Sequence, residues 1–134
     1  MTLLDDWYDN KQQNELEKKA WKLAFDSRNH HRLLLKIHDY FTRRQYRWPT
    51  LEEALQWAHT ESGEVSEQLL ARRPGWIRNN PDDHSEFSEE KLIEEIADQV
   101  FMLIVAGMVE GYDVLDVMQN KLERKLKEYE KQNS

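Results

Sequence analysis

The sequence predicts an all-α protein, a helical bundle of four to five helices, and three observations carry the prediction. Charged residues make up 34% of the 134-residue chain, which holds only four glycines and three prolines; that composition favours helices over strands and turns. Apolar residues return at alternating spacings of three and four, the period of a helix with one face turned to a core. No run alternates apolar and polar residues as a half-buried strand does. The length is one domain's worth, read as a single domain over 1–134, with 1–28 as an N-terminal extension and 29–131 as the bundle proper.

Residues 1–10 read as a tail in which Leu3, Leu4, Trp7 and Tyr8 are candidates to dock elsewhere. Over Asn14–Phe25 helical spacing appears at Leu16, Ala20, Leu23 and Ala24, and Asp26-Ser27-Arg28-Asn29 offers a break with capping residues. A second helix follows over about 30–44, with Leu34, Ile37 and Phe41 on one face; the register also permits one long helix from residue 16. Pro49 stops any helix running through Arg43–Pro49. Thr50-Leu51-Glu52-Glu53 reads as a capping box that starts a helix ending near Arg73, before Pro74-Gly75. Pro74–Ser88 is a loop, after which Ser88 caps a helix over about 89–110. The first ten residues of that helix include five acids, whereas Val100–Val109 is apolar on every side and is expected to be surrounded by other helices. Gly111 ends it. Asp113 caps a last helix to about Lys131, with Val114, Val117, Met118, Leu122 and Leu126 expected inward.

Charge and composition exclude several classes. The net charge of −7 argues against broad affinity for nucleic acid or anionic membranes. The chain has no cysteine, which excludes disulfides and thiolate metal sites and suits a cytoplasmic location. Its start lacks the basic and apolar pattern of a secretion signal, and Val100–Val109 is too short to cross a bilayer. The charge is unevenly spread: residues 11–49 are rich in Lys and Arg, while residues 50–70 hold glutamates and no Lys or Arg.

The chemistry concentrates in residues 57–70, WAHTESGEVSEQLL. On a helical wheel Leu51, Leu55, Ala58, Ser62, Val65 and Leu69 form an inward stripe. Trp57, Glu61, Glu64 and Gln68 run along its flank. Two glutamates at the rim of a core need a partner. Glu95 and Asp98 form a second pair, three residues apart, just before the apolar half of the next helix. Acid-x-x-acid also occurs at Asp6/Asp9, Glu64/Glu67, Glu86/Glu89 and Asp113/Asp116, so spacing alone decides nothing; position beside an apolar stripe singles out Glu61/Glu64 and Glu95/Asp98. If the two helices pack antiparallel the pairs face each other. Four converging carboxylates do not all stay ionised without cations, and oxygen-only ligands favour Mg²⁺ or Mn²⁺.

TESGEVSEQL followed by EEIADQVFMLIVAGMVEGYD resembles the MazG-like nucleoside triphosphate pyrophosphohydrolases, whose signature is ExxE on one helix and ExxD on the next. Glu61, Glu64, Glu95 and Asp98 match it position for position; Gly63, Glu67 and the Gly111-Tyr112-Asp113 turn are also similar. The resemblance covers about residues 30–131. It implies an all-α, Mg²⁺-dependent enzyme that cleaves nucleoside triphosphates between the α- and β-phosphates, with a homodimer or homotetramer as the assembled form. The four carboxylates are then metal ligands, and Glu61 or Glu64 the base that takes a proton from water. Lys121 and Arg124 match the family's basic, phosphate-contacting positions on the last helix, whereas Lys125 stands where the family has Asn. Trp57, Trp48 and Trp76 are candidates to stack on the base; His59, His30 and His31 are read as structural. Phosphoribosyl-ATP hydrolysis and a non-catalytic helical adaptor are the alternatives.

Overall fold

The computed structural model describes residues 3–71 and 88–133, and their side chains from residue 9 onward except at residue 71. Among the described residues it is all-helical: α1 (Leu3–Asp26), α2 (His31–Arg43), α3 (Leu51–Ala71), α4 (Glu89–Met108) and α5 (Val114–Gln132). Most of the expected loop (74–87), with Trp76, lies outside the described residues, as does the expected helix end near Arg73. So do the side chains of Leu3, Leu4, Trp7 and Tyr8. None of the described helices is long and apolar enough to cross a membrane. The chain groups into two compact units, Met1–Leu51 with Ile104–Ser134, and Glu52–Leu103.

In the first unit α1 and α2 pack on one another. α1 starts well before the expected Asn14 because the polar stretch ahead of it contains no Gly or Pro to stop a helix. The break after Asp26 is real and separates two helices: the Ser27 hydroxyl accepts from the His30 N–H at 3.1 Å, and the His31 ring Nδ1 lies 2.6 Å from the Ala24 carbonyl. Leu16, Ala20 and Ala24 of α1 and Leu34, Ile37 and Phe41 of α2 are buried, together with Ile104, Val105, Ala106, Met108 and Val109 at the end of α4.

α2 ends in the left-handed region at Gln45 (φ 55°), and the Tyr46 N–H returns to the Phe41 carbonyl at 3.0 Å. A non-glycine residue there costs about 1 kcal/mol. The turn serves to aim Trp48 inward, where it stacks on Phe41 with centroids 4.3 Å apart. Gln13 brackets the Trp48 backbone, its Nε2 donating to the carbonyl at 2.9 Å and its Oε1 accepting from the N–H at 2.6 Å. α4 ends by the same geometry with the residue that suits it. Gly111 takes φ 83° and the Tyr112 N–H reaches the Gly107 carbonyl at 2.9 Å.

In the second unit the inward face of α3 is rotated from the expected stripe. Ala54, Ala58 and Gln68 are buried and Glu61, Ser62 and Val65 half-buried, while Leu55 and Leu69 are exposed. Leu92 and Met102 of α4 are buried. The Ser88 hydroxyl accepts from the Lys91 N–H at 3.3 Å, so Ser88 caps α4 as expected. The apolar half of α4 is not covered on every side, since Val100 and Leu103 are exposed. The inward assignment on α5 is also corrected: Val117, Met118, Leu122 and Leu126 are all exposed, and α5 has no buried residue.

Candidate functional site: a carboxylate cluster

α3 and α4 meet at their acidic pairs, within the second unit. Glu61, Glu95 and Asp98 each place one carboxylate oxygen so that the three lie within 4.8 Å of one another. Glu64 joins them by hydrogen bonding to the carboxyls of both Glu61 and Glu95. Glu61 feels Asp98, and Glu64 feels Glu95 and Lys91. A position further along α3 thus corresponds to one earlier on α4, which is the antiparallel register the facing pairs require.

Carboxylates at such range share protons. Burial, then the hydrogen bond to Glu64, pushes the Glu61 carboxyl up. The hydrogen bond to Glu64 and burial push Glu95 up to about 7. Glu64 moves the other way: donation from Glu95 and Glu61, with Lys91 nearby, holds it below the usual glutamate range. In the metal-free cluster Glu61 and Glu95 therefore resist ionisation, whereas Glu64 favours it. Two buried oxygens, Glu61 Oε2 and Glu95 Oε2, have no hydrogen-bond partner. A set of oxygen ligands, with two orphaned oxygens and two carboxyls whose ionisation is disfavoured by burial and by the neighbouring Glu64, fits a hard divalent cation.

Two neighbours fall outside the expected site. Gln68, two turns beyond Glu61 on the same face of α3, is 9% exposed and its Oε1 is also unpartnered. Its wheel position beside Glu61 and Glu64 was visible, but an amide gives no sign of burial by itself. Lys91, which attracts Glu64, stands four residues before Glu95, a helical neighbour.

The other expected site residues are placed as follows. Trp57, one turn before Glu61 on α3, is half exposed, with its ring accessible. Trp48 lies in the core of the first unit, 3% exposed and stacked on Phe41. Lys121 and Arg124 are exposed on α5. His59 is exposed on α3.

A second group of ligand-type side chains occurs in the first unit. His30 Nδ1 lies 2.9 Å from Asp113 Oδ2 and 3.2 Å from Asp116 Oδ1. Asp113 caps α5, its Oδ1 accepting from the Leu115 and Asp116 N–H groups at 3.1 and 3.3 Å, and Ser27 donates to its Oδ2 at 3.3 Å. Asn29 donates to Asp116 at 3.2 Å. Burial works against the Asp113 charge, yet the bonds from His30, the Asp116 N–H and Ser27 hold it below the usual aspartate range. This network is a fastening between the α1–α2 connection and the start of α5, and it agrees with a structural role for His30.

No protein-family model, curated protein or solved structure matched the chain.

Proposed function

We propose that the protein is a Mg²⁺-dependent nucleoside triphosphate pyrophosphohydrolase of the MazG-like kind, cleaving its substrate to a nucleoside monophosphate and pyrophosphate. The observation that supports this most directly is the facing of Glu61/Glu64 and Glu95/Asp98, with two orphaned buried oxygens and two carboxyls shifted upward. Mg²⁺, or Mn²⁺, held there would neutralise charge on the phosphates and make a bound water more acidic. Glu61, Glu64, Glu95 and Asp98 would hold the ion, as deprotonated ligands. A water molecule attacks phosphorus, the bond between the α- and β-phosphates breaks, and the water's proton passes to a carboxylate, Glu61 or Glu64. The resemblance nominates Lys121 and Arg124 to offset charge on the departing pyrophosphate, and the exposed Trp57 is the aromatic next to the carboxylates that can stack on a base. A homo-oligomer in the cytoplasm completes the reading.

Incubation with a panel of nucleoside and deoxynucleoside triphosphates and Mg²⁺ is expected to yield pyrophosphate and monophosphate. Orthophosphate as product, or no turnover across the panel, overturns the proposal. Glu64→Gln keeps side-chain volume but removes a ligand charge, and is expected to lower turnover by at least about a hundredfold, more than loss of an outer-shell partner. Circular dichroism should show the helices intact, and a Glu64→Gln protein as active as the parent refutes the assignment.

A further inference from the structure

Lys91 stands where the rules for helix starts call for an acid. The Ser88 hydroxyl accepts from the Lys91 N–H at 3.3 Å, and α4 begins at Glu89. Lys91 therefore holds the place that a glutamate takes in a capping box. The start of α3 keeps to that rule, with Glu53 three residues after Thr50. A cation in the first turn also opposes the helix macrodipole. As a partner for Glu95 it comes in the weaker order, the lysine four residues ahead of the glutamate. Three local preferences are thus set aside at one exposed residue. Such conflicts persist where a side chain serves something other than its own helix.

The surroundings of Lys91 identify what it serves. Across the α3–α4 contact it attracts the Glu64 carboxylate, and among the described residues it is the one cation acting there. It shares the second unit with Glu61, Glu64, Glu95 and Asp98, whereas Lys121 and Arg124 belong to the first. A cation beside metal ligands weakens their hold on a divalent ion, because like charges repel. The same cation strengthens the hold on a polyanion, which a ring of acids otherwise turns away. A lysine kept at the rim of a metal site, against the preference of its helix and of the metal, is accounted for by an anionic ligand that binds together with the metal.

We propose that Lys91 is a substrate-binding residue whose ammonium group contacts the phosphates of the bound triphosphate at the Glu64 end of the cluster. This rests on the pyrophosphohydrolase reading and adds to it a cation carried by the same unit as the carboxylates. Lysine suits the task. Its compact charge on a flexible stem can leave Glu64 for a phosphate oxygen once Glu64 is engaged as a ligand.

The two opposite signs supply the test, which uses the full chain. Lys91→Gln removes the charge and keeps most of the side-chain length. In the metal-free protein it is expected to tighten Mg²⁺ binding about three- to tenfold by calorimetry. With Mg²⁺ saturating, the same variant is expected to bind inorganic tripolyphosphate roughly ten- to a hundredfold more weakly. Lys91→Arg should return both affinities toward those of the parent. A residue that only balances Glu64 would let both affinities rise together, and one that only holds α4 in place would let both fall. Either result overturns the proposal, as does no change in either affinity, or a parent that binds no Mg²⁺ or no tripolyphosphate with it. Turnover separates this inference from the reading beneath it. With an active triphosphate from the panel, Lys91→Gln should raise KM at least about tenfold. An unchanged KM in an active enzyme overturns the role of Lys91 alone. Opposite shifts in a protein that hydrolyses no triphosphate overturn the pyrophosphohydrolase reading alone.

Discussion

The protein contains two groups of acidic side chains of similar composition, and they differ in what surrounds them. Asp113 and Asp116 receive donors: His30, Ser27, Asn29 and two N–H groups of α5. Glu61, Glu64, Glu95 and Asp98 mostly receive one another, with Lys91 the one cation acting on Glu64 among the described residues. The first group has spent its acceptors on holding a helix end in place. The second is held close with too few donors, and the Glu61 and Glu95 carboxyls are pushed up in response. Proximity of acids is therefore a poor guide to a site; the balance of donors to acceptors separates a fastening from a binding centre.

The largest stability effect expected from this contrast comes from removing the satisfied acid. Asp113→Ala deletes the α5 cap, leaves the Ser27 hydroxyl without its acceptor and removes the closer of the two carboxylates beside His30, at a cost of about 2–3 kcal/mol. Thermal unfolding of the metal-free protein should show it as a drop of roughly 8–12 °C. Glu95→Gln at pH 8 should cause no such drop, because it relieves repulsion rather than ending a donated bond. If the two substitutions destabilise equally, the contrast between the groups is lost.

The two groups should also give stability opposite pH dependences. Glu95 titrates near 7 in the folded chain against an ordinary 4.5. The folded state therefore binds more protons between those values. The contribution is fully present below about 4.5 and is lost as pH rises through about 7, with Glu61 acting in the same sense. Asp113 is depressed below its ordinary 3.8. Its contribution is present above that value and disappears as pH falls through the lower folded value. Metal-free melting temperature should accordingly decline from pH 4.5 to 8, and Glu95→Gln should flatten that decline. Asp113→Asn should flatten only the acid limb. Mg²⁺ affinity should rise over the window in which stability falls, because the protons must leave first.

How much of this was legible in the sequence follows from what each signal measures. The helices were legible because period and capping residues are local: Ser88 and Asp113 cap α4 and α5, and Gly111 ends α4. The acidic pairs on α3 and α4 were legible for the same reason, as was the need for them to face each other. Which face is covered is not local. The stripe expected on α3 is displaced toward Ala54 and Ala58, where short side chains permit close approach, leaving Leu55 and Leu69 outside. On α5 the apolar stripe was expected to face inward, yet Val117, Met118, Leu122 and Leu126 are exposed. A period marks a face and carries no information about its partner. The protonation pattern was hidden too, since it depends on distances between side chains thirty residues apart.

The smallest effect concerns Gln68, which tests whether the shortage of donors extends beyond the carboxylates. Its Oε1 is buried without a partner, one turn past Glu64. Burying an unpaired amide oxygen costs about 1–3 kcal/mol, part of which an apolar replacement of similar size recovers. Gln68→Leu should therefore raise metal-free stability by about 1 kcal/mol, measured by denaturant titration with an unchanged slope. The companion measurement is Mg²⁺ binding by calorimetry. A stabilised variant with parental affinity makes Gln68 a buried bystander at the rim of the cluster. A variant that gains stability and binds Mg²⁺ about tenfold more weakly shows that the amide orients the carboxylates or their water, as outer-shell groups do. A variant that loses stability shows that the amide is already satisfied in solution, and the row of orphaned acceptors on α3 then ends at Glu61.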